Sequence, residues 1–490
     1  MYNHAYIIGL LDERAVFLGV TWCFEAKTKS LLESSQLQII SPPQCNFVIG
    51  CLIIYYIYPL PKFAVMSYNR RSFIKSATAL AALSLTELQA IAAAKELKTD
   101  GKIIDEHDEA YWHNVRQSFP LTKDWTYLNN GTFGPSPYPV IEAVHVAMMD
   151  ADREGNYGSY DSTPGKIAKF VGANDNEITL THNVTEGINI ACWGVPLKKG
   201  DEVILTTHEH IGNCSPWMSR QKLHGIVIRK YTPAPTAAET LERIAALINK
   251  RTRVIATPHI PCTQGQVLPI KEICQLAKDK GLFSLIDGAH GAGMLELDLH
   301  DLGCDTYASC SHKWMLGPKG TGFLYVKDSF RDTVQTYYGG AGIDDGKWDL
   351  MSDPVKTGNY APSGHRYFGG TQANALYTGV NASIDFIENI GIKNIHNRIK
   401  SLGKYTQDRL LEFGDKIELI TPTEERSRCA VNGFRIKNMD YQKFFEKCVE
   451  SKIRIRSVAE CGLNSLRVST HIYNNHADVD KLMELLKKYA

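Results

Sequence analysis

Four side chains that can move protons or bond to a carbonyl carbon occur close together in this sequence. Asp287 and His290 come first, and His312 and Lys313 follow as neighbours. Lys313 precedes the apolar run 314–316, and a lysine beside an apolar cluster is a candidate for a lowered pKa. Such an amine is the nucleophile that Schiff-base chemistry requires. The stretch therefore predicts covalent catalysis at Lys313.

The residues around these groups predict the strands that position them. The apolar run 282–286 lies between Gly281 and Asp287 and is too short for a helix, so it predicts a buried strand that leads to Asp287. A second strand is predicted at 322–326. Strands and helices alternate from 179 to 326, which predicts a mostly parallel sheet with crossover helices. In that architecture a ligand binds at the carboxyl ends of the strands.

The motifs Asp-Gly-Ala-His at 287–290 and Ser-His-Lys at 311–313 resemble the class V aminotransferase family. This family consists of pyridoxal-phosphate (PLP) enzymes and includes cysteine desulfurases and isopenicillin N epimerase. The resemblance implies that Asp287 binds the pyridinium nitrogen, His290 binds the phenolate oxygen and Lys313 carries the cofactor. A carboxylate at the ring nitrogen keeps the ring cationic, so that it can accept electrons from a substrate carbanion.

Two further motifs resemble the parts of the family's site that hold the cofactor. A strand is followed by a helix that begins near Thr185, and the N–H groups at a helix N-terminus bind phosphate well. The resemblance assigns phosphate to Val184, Thr185 and His312. The Glu-His-x-x-Asn pattern at 209–213 would place His210 flat on the cofactor ring. The alternatives are an N-cap role for Thr185 and a neutral core histidine at position 210.

Three positions extend the resemblance to the substrate and to a second subunit. Asn130 lies in a Gly/Pro-rich loop that looks like the family's N-terminal substrate loop. Thr371 would reach the cofactor phosphate of the other subunit, which implies an obligate homodimer with shared active sites. Arg467 would bind the substrate α-carboxylate, since planar guanidinium donors match a carboxylate bidentately. The expected substrate is an amino acid or a small amine that carries a carboxylate.

Two cysteine positions depart from the desulfurase pattern. Cys262 stands where desulfurases place an asparagine, and Cys461 lacks the Gly-His-His that precedes their reactive cysteine. We therefore expect an epimerase, lyase or aminotransferase reaction of the isopenicillin N epimerase-like branch. Cysteine desulfurase or selenocysteine lyase chemistry is the alternative. An exported, catalytically silent amino-acid-binding protein is another.

The composition argues against several other function classes. A formal net charge of +1 gives no electrostatic case for binding nucleic acid. The 12 cysteines form no CxxC pair and no zinc spacing. His208 and His210 have no third ligand nearby in the sequence, so no metal site is predicted.

The N-terminal residues predict export. The sequence of 69–75, NRRSFIK, closely matches a twin-arginine signal, and an Ala/Leu run leads to a small-residue cleavage site at 92–94. Residues 66–94 are therefore expected to be a signal peptide. Since a signal peptide stands at the true N-terminus, we expect translation to start at Met66 and 1–65 to be a mis-called extension. The twin-arginine export machinery is an expected partner, and the expected location is periplasmic or exported.

The remaining chain divides into three predicted regions. These are an N-terminal arm with the substrate loop (95–139), a large PLP-binding domain (140–375) and a small C-terminal domain (376–490). The resemblance implies the α/β fold of PLP-dependent transferases, fold type I, which is aspartate aminotransferase-like. Its large domain has a mostly parallel sheet, and its smaller C-terminal domain is α+β.

Overall fold

The computed structural model describes the backbone of 4–11 and 14–21, and both backbone and side chains of Gln89, 91–94 and 96–490. The twin-arginine motif and most of the predicted signal peptide lie outside the described residues. The chain divides into two units, Met1–Thr78 and Ala79–Ala490. In the first unit, β1 (His4–Leu11) and β2 (Arg14–Thr21) pair as an antiparallel hairpin.

The second unit contains strands and helices that alternate along most of the chain. The strands are β3 Thr126–Tyr127, β4 Ile178–Thr181, β5 Glu202–Thr206, β6 Val227–Tyr231, β7 Thr252–Pro258, β8 Phe283–Asp287, β9 Thr306–Cys310, β10 Gly322–Val326, β11 Ile417–Leu419, β12 Val431–Ile436, β13 Ile453–Arg454, β14 Arg456–Val458 and β15 Ser465–Ser469. The helices are α1 Glu109–Gln117, α2 Tyr138–Glu154, α3 Ser162–Val171, α4 Val184–Gly194, α5 Ile211–His224, α6 Ala237–Ala245, α7 Ile270–Asp279, α8 Leu299–Leu302, α9 Asn374–Ile390, α10 Ile392–Leu411, α11 Tyr441–Glu450 and α12 His476–Tyr489.

A seven-stranded sheet, as far as the structure is described, forms the centre of the large domain in the order β4-β10-β9-β8-β7-β5-β6. Its neighbouring strands run parallel except at β10, which is antiparallel to both β9 and β4. The predicted mostly parallel sheet is therefore confirmed. The strands predicted at 282–286 and 322–326 are β8 and β10, and β8 ends at Asp287.

Helices cover both faces of this sheet, because successive side chains along each strand point to opposite faces. Ile204 and Ile286 belong to one apolar cluster, which also contains residues of α3, α7 and α9. Their neighbours Val203, Leu205 and Leu285 belong to a second cluster, on the side of α4 and α5. With both faces buried, the ends of the strands are the part of the sheet that remains open to a ligand.

A second sheet forms the small domain in the antiparallel order β11-β12-β15-β14. It has its own apolar core, which includes Phe434, Phe444 and Leu466. The N-terminal arm joins this domain, because β3 pairs in parallel with β13 and places Thr126 opposite Ile453. Among the described residues, no helix is long and apolar enough to span a membrane.

Candidate active site

Most of the predicted site residues line one cavity of about 230 Å³ at the carboxyl ends of the large-sheet strands. The predicted residues in its wall are Val184, Thr185, His210, Asp287, His312, Lys313 and Arg467. Parallel strands bring the turns that follow β4, β5, β8 and β9 to the same edge of the sheet, although these turns are far apart in sequence. Arg467 comes from β15 of the small domain, so the cavity lies between the two sheets.

Asp287 is the last residue of β8 and is almost fully buried. Its Oδ1 accepts a hydrogen bond of 2.9 Å from the N–H of Ala289, which fixes the carboxylate at the strand end. Burial raises the pKa of Asp287, while the Ala289 bond and the charges of Lys313 and His210 act in the opposite direction. A buried carboxylate with cationic neighbours fits a partner that carries a protonated ring nitrogen.

Lys313 lies in the turn after β9, and its Nζ is 3.3 Å from Nε2 of His290. The other ring nitrogen of His290, Nδ1, accepts a hydrogen bond of 3.1 Å from the indole N–H of Trp314. His290 and Trp314 are both buried. Burial, followed by the positive charges of Lys313 and Arg467, holds the pKa of His290 well below its usual value. The imidazole beside the candidate nucleophile is therefore neutral.

The N-terminus of α4 provides the predicted phosphate site. Asn183 caps this helix by accepting from the N–H of Glu186, so Thr185 does not serve as the N-cap. The N–H groups of the first helical turn have no partner within their own helix and are available to a ligand. His312 faces the same cavity, and its buried Nδ1 has no hydrogen-bond partner among the described residues. The N–H groups of the helix N-terminus are donors that fit an anion such as phosphate, and the unpartnered ring nitrogen of His312 lies in the wall of the same cavity.

Gly212 and His210 shape the cavity wall beside the N-terminus of α4. A side chain at Gly212 would bring its Cβ within 2.7 Å of Thr185 Oγ1, so only glycine leaves that hydroxyl free. His210 caps α5, since its Nδ1 accepts a hydrogen bond of 3.1 Å from the N–H of Gly212. This bond fixes the orientation of the ring. Burial and the charge of Lys313 lower the pKa of His210.

Arg467 is a buried cation with an incomplete set of partners. It donates to the carbonyl of Cys262 at 2.9 Å, to Asn129 Oδ1 at 2.9 Å and to Thr132 Oγ1 at 2.7 Å. These acceptors are all neutral, and no ion pair with a carboxylate forms in the described part of the chain. Its Nε–H is buried without a partner there, and burial lowers the pKa of Arg467 to about 10. The arrangement fits a negatively charged ligand.

The predicted substrate loop docks on the segment that carries Lys313. The N–H of Gly134 donates to the carbonyl of His312 at 2.8 Å, and a Cβ at Gly134 would overlap the carbonyl of Lys313 at 2.0 Å. Asn130 is fully buried; its Oδ1 accepts from Tyr473 at 2.9 Å and its Nδ2 is 3.5 Å from the carbonyl of Lys313. The loop contributes Gly131 and Thr132 to the cavity wall. Asn130 thus holds the loop in place, and its role as a substrate ligand stays a prediction.

Thr371 is the predicted site residue that this single chain leaves on its surface. It is exposed and precedes α9, in a segment where Gly370 has φ of 86°. The resemblance to the family implied a place at the site of a second subunit rather than at its own. Its predicted contact with phosphate stays a prediction.

The two cysteines that depart from the desulfurase pattern occupy different environments. Cys262 is buried in the cavity wall, and its Sγ accepts from Arg456 at 3.7 Å. Cys461 is exposed, and its pKa is raised to about 11 by partial burial and nearby groups. A thiol with that pKa is protonated near neutral pH, whereas the thiolate is the nucleophile.

The structure adds two residues that the sequence reasoning did not assign to the site. Arg456 lines the cavity and forms an ion pair with Glu460. The sequence signal that could have identified it is its spacing from Cys461, which is similar to the arginine-to-cysteine spacing of desulfurases. Trp314 supports His290, and its position directly after Lys313 was the available signal. Within the described ranges, no group of three or more histidine, cysteine or acidic side chains is placed to hold a metal ion.

The fold and the site define a PLP-dependent enzyme of fold type I. The sequence profile of class V aminotransferases matches residues 143–482. The chain belongs to this family, and pyridoxal 5′-phosphate is the family's cofactor. The cavity fits that cofactor through the unpartnered Nδ1 of His312, the glycine at 212 and the buried carboxylate of Asp287.

The similar proteins carry more than one activity in their names. A probable cysteine desulfurase from Methanothermobacter thermautotrophicus is 28% identical over 401 residues, which cover 77% of this chain and 98% of the relative. An isopenicillin N epimerase from Amycolatopsis lactamdurans is 28% identical over 410 residues, which cover 77% and 98% of the two chains. A structure of a C-DES mutant with glycine covalently linked to its PLP cofactor has a TM-score of 0.70 and 24% identity, and covers 76% of this chain and 99% of that one. At that identity it supports the fold alone.

Proposed function

We propose that the protein catalyses an epimerase-type or lyase-type conversion of an amino acid. The observation that carries this proposal is Arg467, a buried cation without a carboxylate partner among the described residues, in the same cavity as Lys313. An α-amino acid brings the missing carboxylate, and its α-carbon then lies near the one lysine of the cavity wall. Such an anchor orients the substrate for proton transfer.

When bound, PLP supplies an electron sink that stabilises negative charge at the substrate α-carbon. The residues of this chain supply the rest. Lys313 would provide the amine that holds the cofactor, and its Nζ would be the base that removes the substrate α-proton. Asp287 would bind the ring nitrogen, His210 would cover the ring, and Thr185 with His312 would hold the phosphate. Arg467 fixes the carboxylate, which limits rotation of the substrate.

Sulfur transfer is the second candidate, because a curated relative is a probable cysteine desulfurase. That reaction needs a protein thiolate that reaches the substrate. Cys461 is exposed with a pKa raised to about 11, and its left-handed φ of 59° adds backbone strain to the short turn 460–462. These features favour a reaction that changes only the substrate over a reaction that transfers sulfur from the substrate to Cys461.

The test measures sulfide release and α-proton exchange in the wild type and in one cysteine variant. The PLP-loaded Cys461→Ser variant and the wild type are incubated with cysteine for sulfide release, and with an amino-acid panel in heavy water for α-proton exchange. Cys214→Ser is the control, since Cys214 is half-buried. Exchange or elimination that survives in Cys461→Ser supports the proposal. Substantial sulfide release by the wild type that vanishes only in Cys461→Ser would overturn it.

We further propose that the protein is a homodimer with shared active sites. Large apolar side chains are exposed in the loop between β10 and α9, namely Tyr337, Tyr338, Trp348, Leu350 and Met351. Exposed apolar side chains concentrated in one loop are typical of a surface that another subunit covers. Thr371 lies in the same connection between β10 and α9.

Mixing two inactive variants tests this sharing. If Thr371 acts on the partner's site, a heterodimer of Lys313→Ala and Thr371→Ala contains one site with both changes and one intact site. Activity then returns on mixing. If Thr371 acts on its own site, every site of the heterodimer carries one defect and mixing restores nothing.

Export through the twin-arginine route to the periplasm is also proposed. The support is the sequence of 69–75 and the apolar run behind it. That route carries folded proteins, which suits an enzyme that acquires its cofactor before it leaves the cytoplasm.

A further inference from the structure

His290 has a different hydrogen-bond partner at each of its two ring nitrogens. The indole N–H of Trp314 lies 3.1 Å from Nδ1, and Nζ of Lys313 lies 3.3 Å from Nε2. His290 is 2% exposed and Trp314 is fully buried, so water does not compete for the contact between these two rings. The role of each nitrogen therefore depends on these two neighbours.

The contact with Trp314 fixes the tautomer of His290. An indole nitrogen is a donor and never an acceptor, so Nδ1 must present its lone pair to Trp314. The single proton of the neutral ring is then on Nε2. A charged imidazolium would place an N–H against the indole N–H. It would also face the positive charges of Arg467 and Arg456 inside a buried site.

The tautomer determines the direction of the hydrogen bond to Lys313. An N–H on Nε2 donates, and an amine accepts only through the lone pair that an ammonium lacks. The contact is thus satisfied by the neutral amine of Lys313, which is the nucleophilic form. With the opposite tautomer, Nε2 would accept from the ammonium and favour the inactive form. The resemblance assigns the phenolate oxygen to His290, and that oxygen is also an acceptor for an N–H.

The surroundings of Trp314 hold its indole in this position. His471 stacks on it with ring centroids 5.5 Å apart and an angle of 23°. Nδ1 of His471 accepts from the N–H of Ile472 at 2.8 Å, so Nε2 carries the proton and donates to the carbonyl of Trp314 at 3.3 Å. Gly293 lets the chains approach closely, because a Cβ there would lie 2.4 Å from that same carbonyl oxygen.

We propose that Trp314 is a positioning residue that locks His290 in the tautomer with its proton on Nε2, and thereby favours the neutral amine of Lys313. The inference rests on the proposed function only through the role of Lys313 as nucleophile. It does not depend on which reaction of an amino acid follows.

The matched variants are Trp314→Phe and Trp112→Phe. Both remove an indole N–H and keep an aromatic ring, and the indole of Trp112 donates to the carbonyl of Asp105 at 3.2 Å, in the N-terminal arm. The tautomer is read from ¹⁵N chemical shifts of full-length protein labelled at histidine, with His290→Gln used to assign the signal. PLP incorporation into the cofactor-free full-length chain is followed against pH as the second readout.

We expect the Nε2–H tautomer at His290 in the wild type and in Trp112→Phe. In Trp314→Phe the ratio of tautomers should shift by about fivefold, the equivalent of one hydrogen bond, and PLP incorporation should move to higher pH. An Nδ1–H tautomer or an imidazolium in the wild type would overturn the proposal. An unchanged His290 signal in Trp314→Phe would do the same.

A measurement on the wild type alone decides the question if Trp314→Phe does not fold. Protein labelled with ¹⁵N at both tryptophan and histidine should show ¹⁵N–¹⁵N coupling across the hydrogen bond between the indole of Trp314 and Nδ1 of His290. Lack of that coupling, in protein that incorporates PLP, would overturn the proposal. An amino-acid panel without any product would instead refute the proposed reaction, and it would leave the tautomer measurement untouched.

Discussion

Replacing Arg467 tests how the protein binds a substrate carboxylate. A guanidinium has five N–H donors, and three of those of Arg467 bond to Cys262, Asn129 and Thr132. Two donors remain, one on Nε and one on Nη1, and they lie on different edges of the guanidinium, so a carboxylate can accept from one of them. At about 1.5–3 kcal/mol for a hydrogen bond to a charged group, this bond contributes about 1.5–3 kcal/mol. Since about 1.4 kcal/mol is tenfold, Arg467→Met should weaken carboxylate recognition by about 10–10²-fold.

The same substitution should also change stability. It removes three hydrogen bonds to a charged group, worth about 1.5–3 kcal/mol each. It also removes a buried charge that lacks a charged partner among the described residues, and this relief acts in the opposite direction. The free energy of unfolding should therefore fall by less than the roughly 4.5–9 kcal/mol of the three bonds together. Denaturant unfolding, monitored by tryptophan fluorescence, measures it.

The assay compares ligands that differ only in the carboxylate. Binding of L-alanine and of ethylamine is titrated through the visible absorbance of the PLP-loaded enzyme. The wild type should bind L-alanine more tightly than ethylamine by the factor given for carboxylate recognition, and Arg467→Met should bind both ligands with similar affinity. Arg435→Met is the control, because Arg435 lies on β12, pairs with Glu418 and bonds to the carbonyl of Leu463. An alanine preference that persists in Arg467→Met would refute the assignment.

Three further outcomes are expected. Lys313→Ala should lose the lysine-linked visible absorbance and the activity while PLP still binds through its phosphate; a retained band with full activity would contradict the role of Lys313. Burial lowers the pKa of His471 from 6.5 to about 3, so the unfolded chain takes up a proton that the folded chain refuses. The free energy of unfolding should thus fall as pH drops from 6.5 towards 3. His471→Phe should reduce the slope of this free energy against pH by up to about 1.4 kcal/mol per pH unit, as unfolding at a series of pH values measures. An unchanged slope in the variant would contradict this expectation. Replacing Arg70 and Arg71 by lysine should trap the precursor in the cytoplasm, as fractionation shows, and unchanged export would contradict the signal peptide.

Local sequence patterns were sufficient to locate the strands that carry the site. The run 282–286 is apolar without interruption because β8 is buried on both faces, and the residue after it is polar because it lies at the open edge. The motif at 287–290 identified Asp287 at the end of that strand. Lys313 was identified through the resemblance of the Ser-His-Lys motif at 311–313, since no strand was predicted directly before it.

The sequence did not determine how these segments meet. Nothing in the pattern of β10 encodes that it runs against its neighbours, since periodicity reports which residues are buried and not the direction of a strand. The pairing of β3 with β13 joins Thr126 to Ile453. Such a contact between distant segments arises only when the small domain is folded.

The electrostatic properties of the site were decided by tertiary structure alone. Whether an arginine pairs with a carboxylate depends on the residues that fold around it. Only the structure shows that Arg467 is surrounded by neutral acceptors. Likewise, Trp314 reads as a core residue beside a lysine, and its indole meets His290 because β8 and β9 are neighbours in the sheet. The sequence identified the candidate groups by their motifs, and packing across the sheet determined their hydrogen-bond partners and their free donors, because both depend on contacts between distant segments.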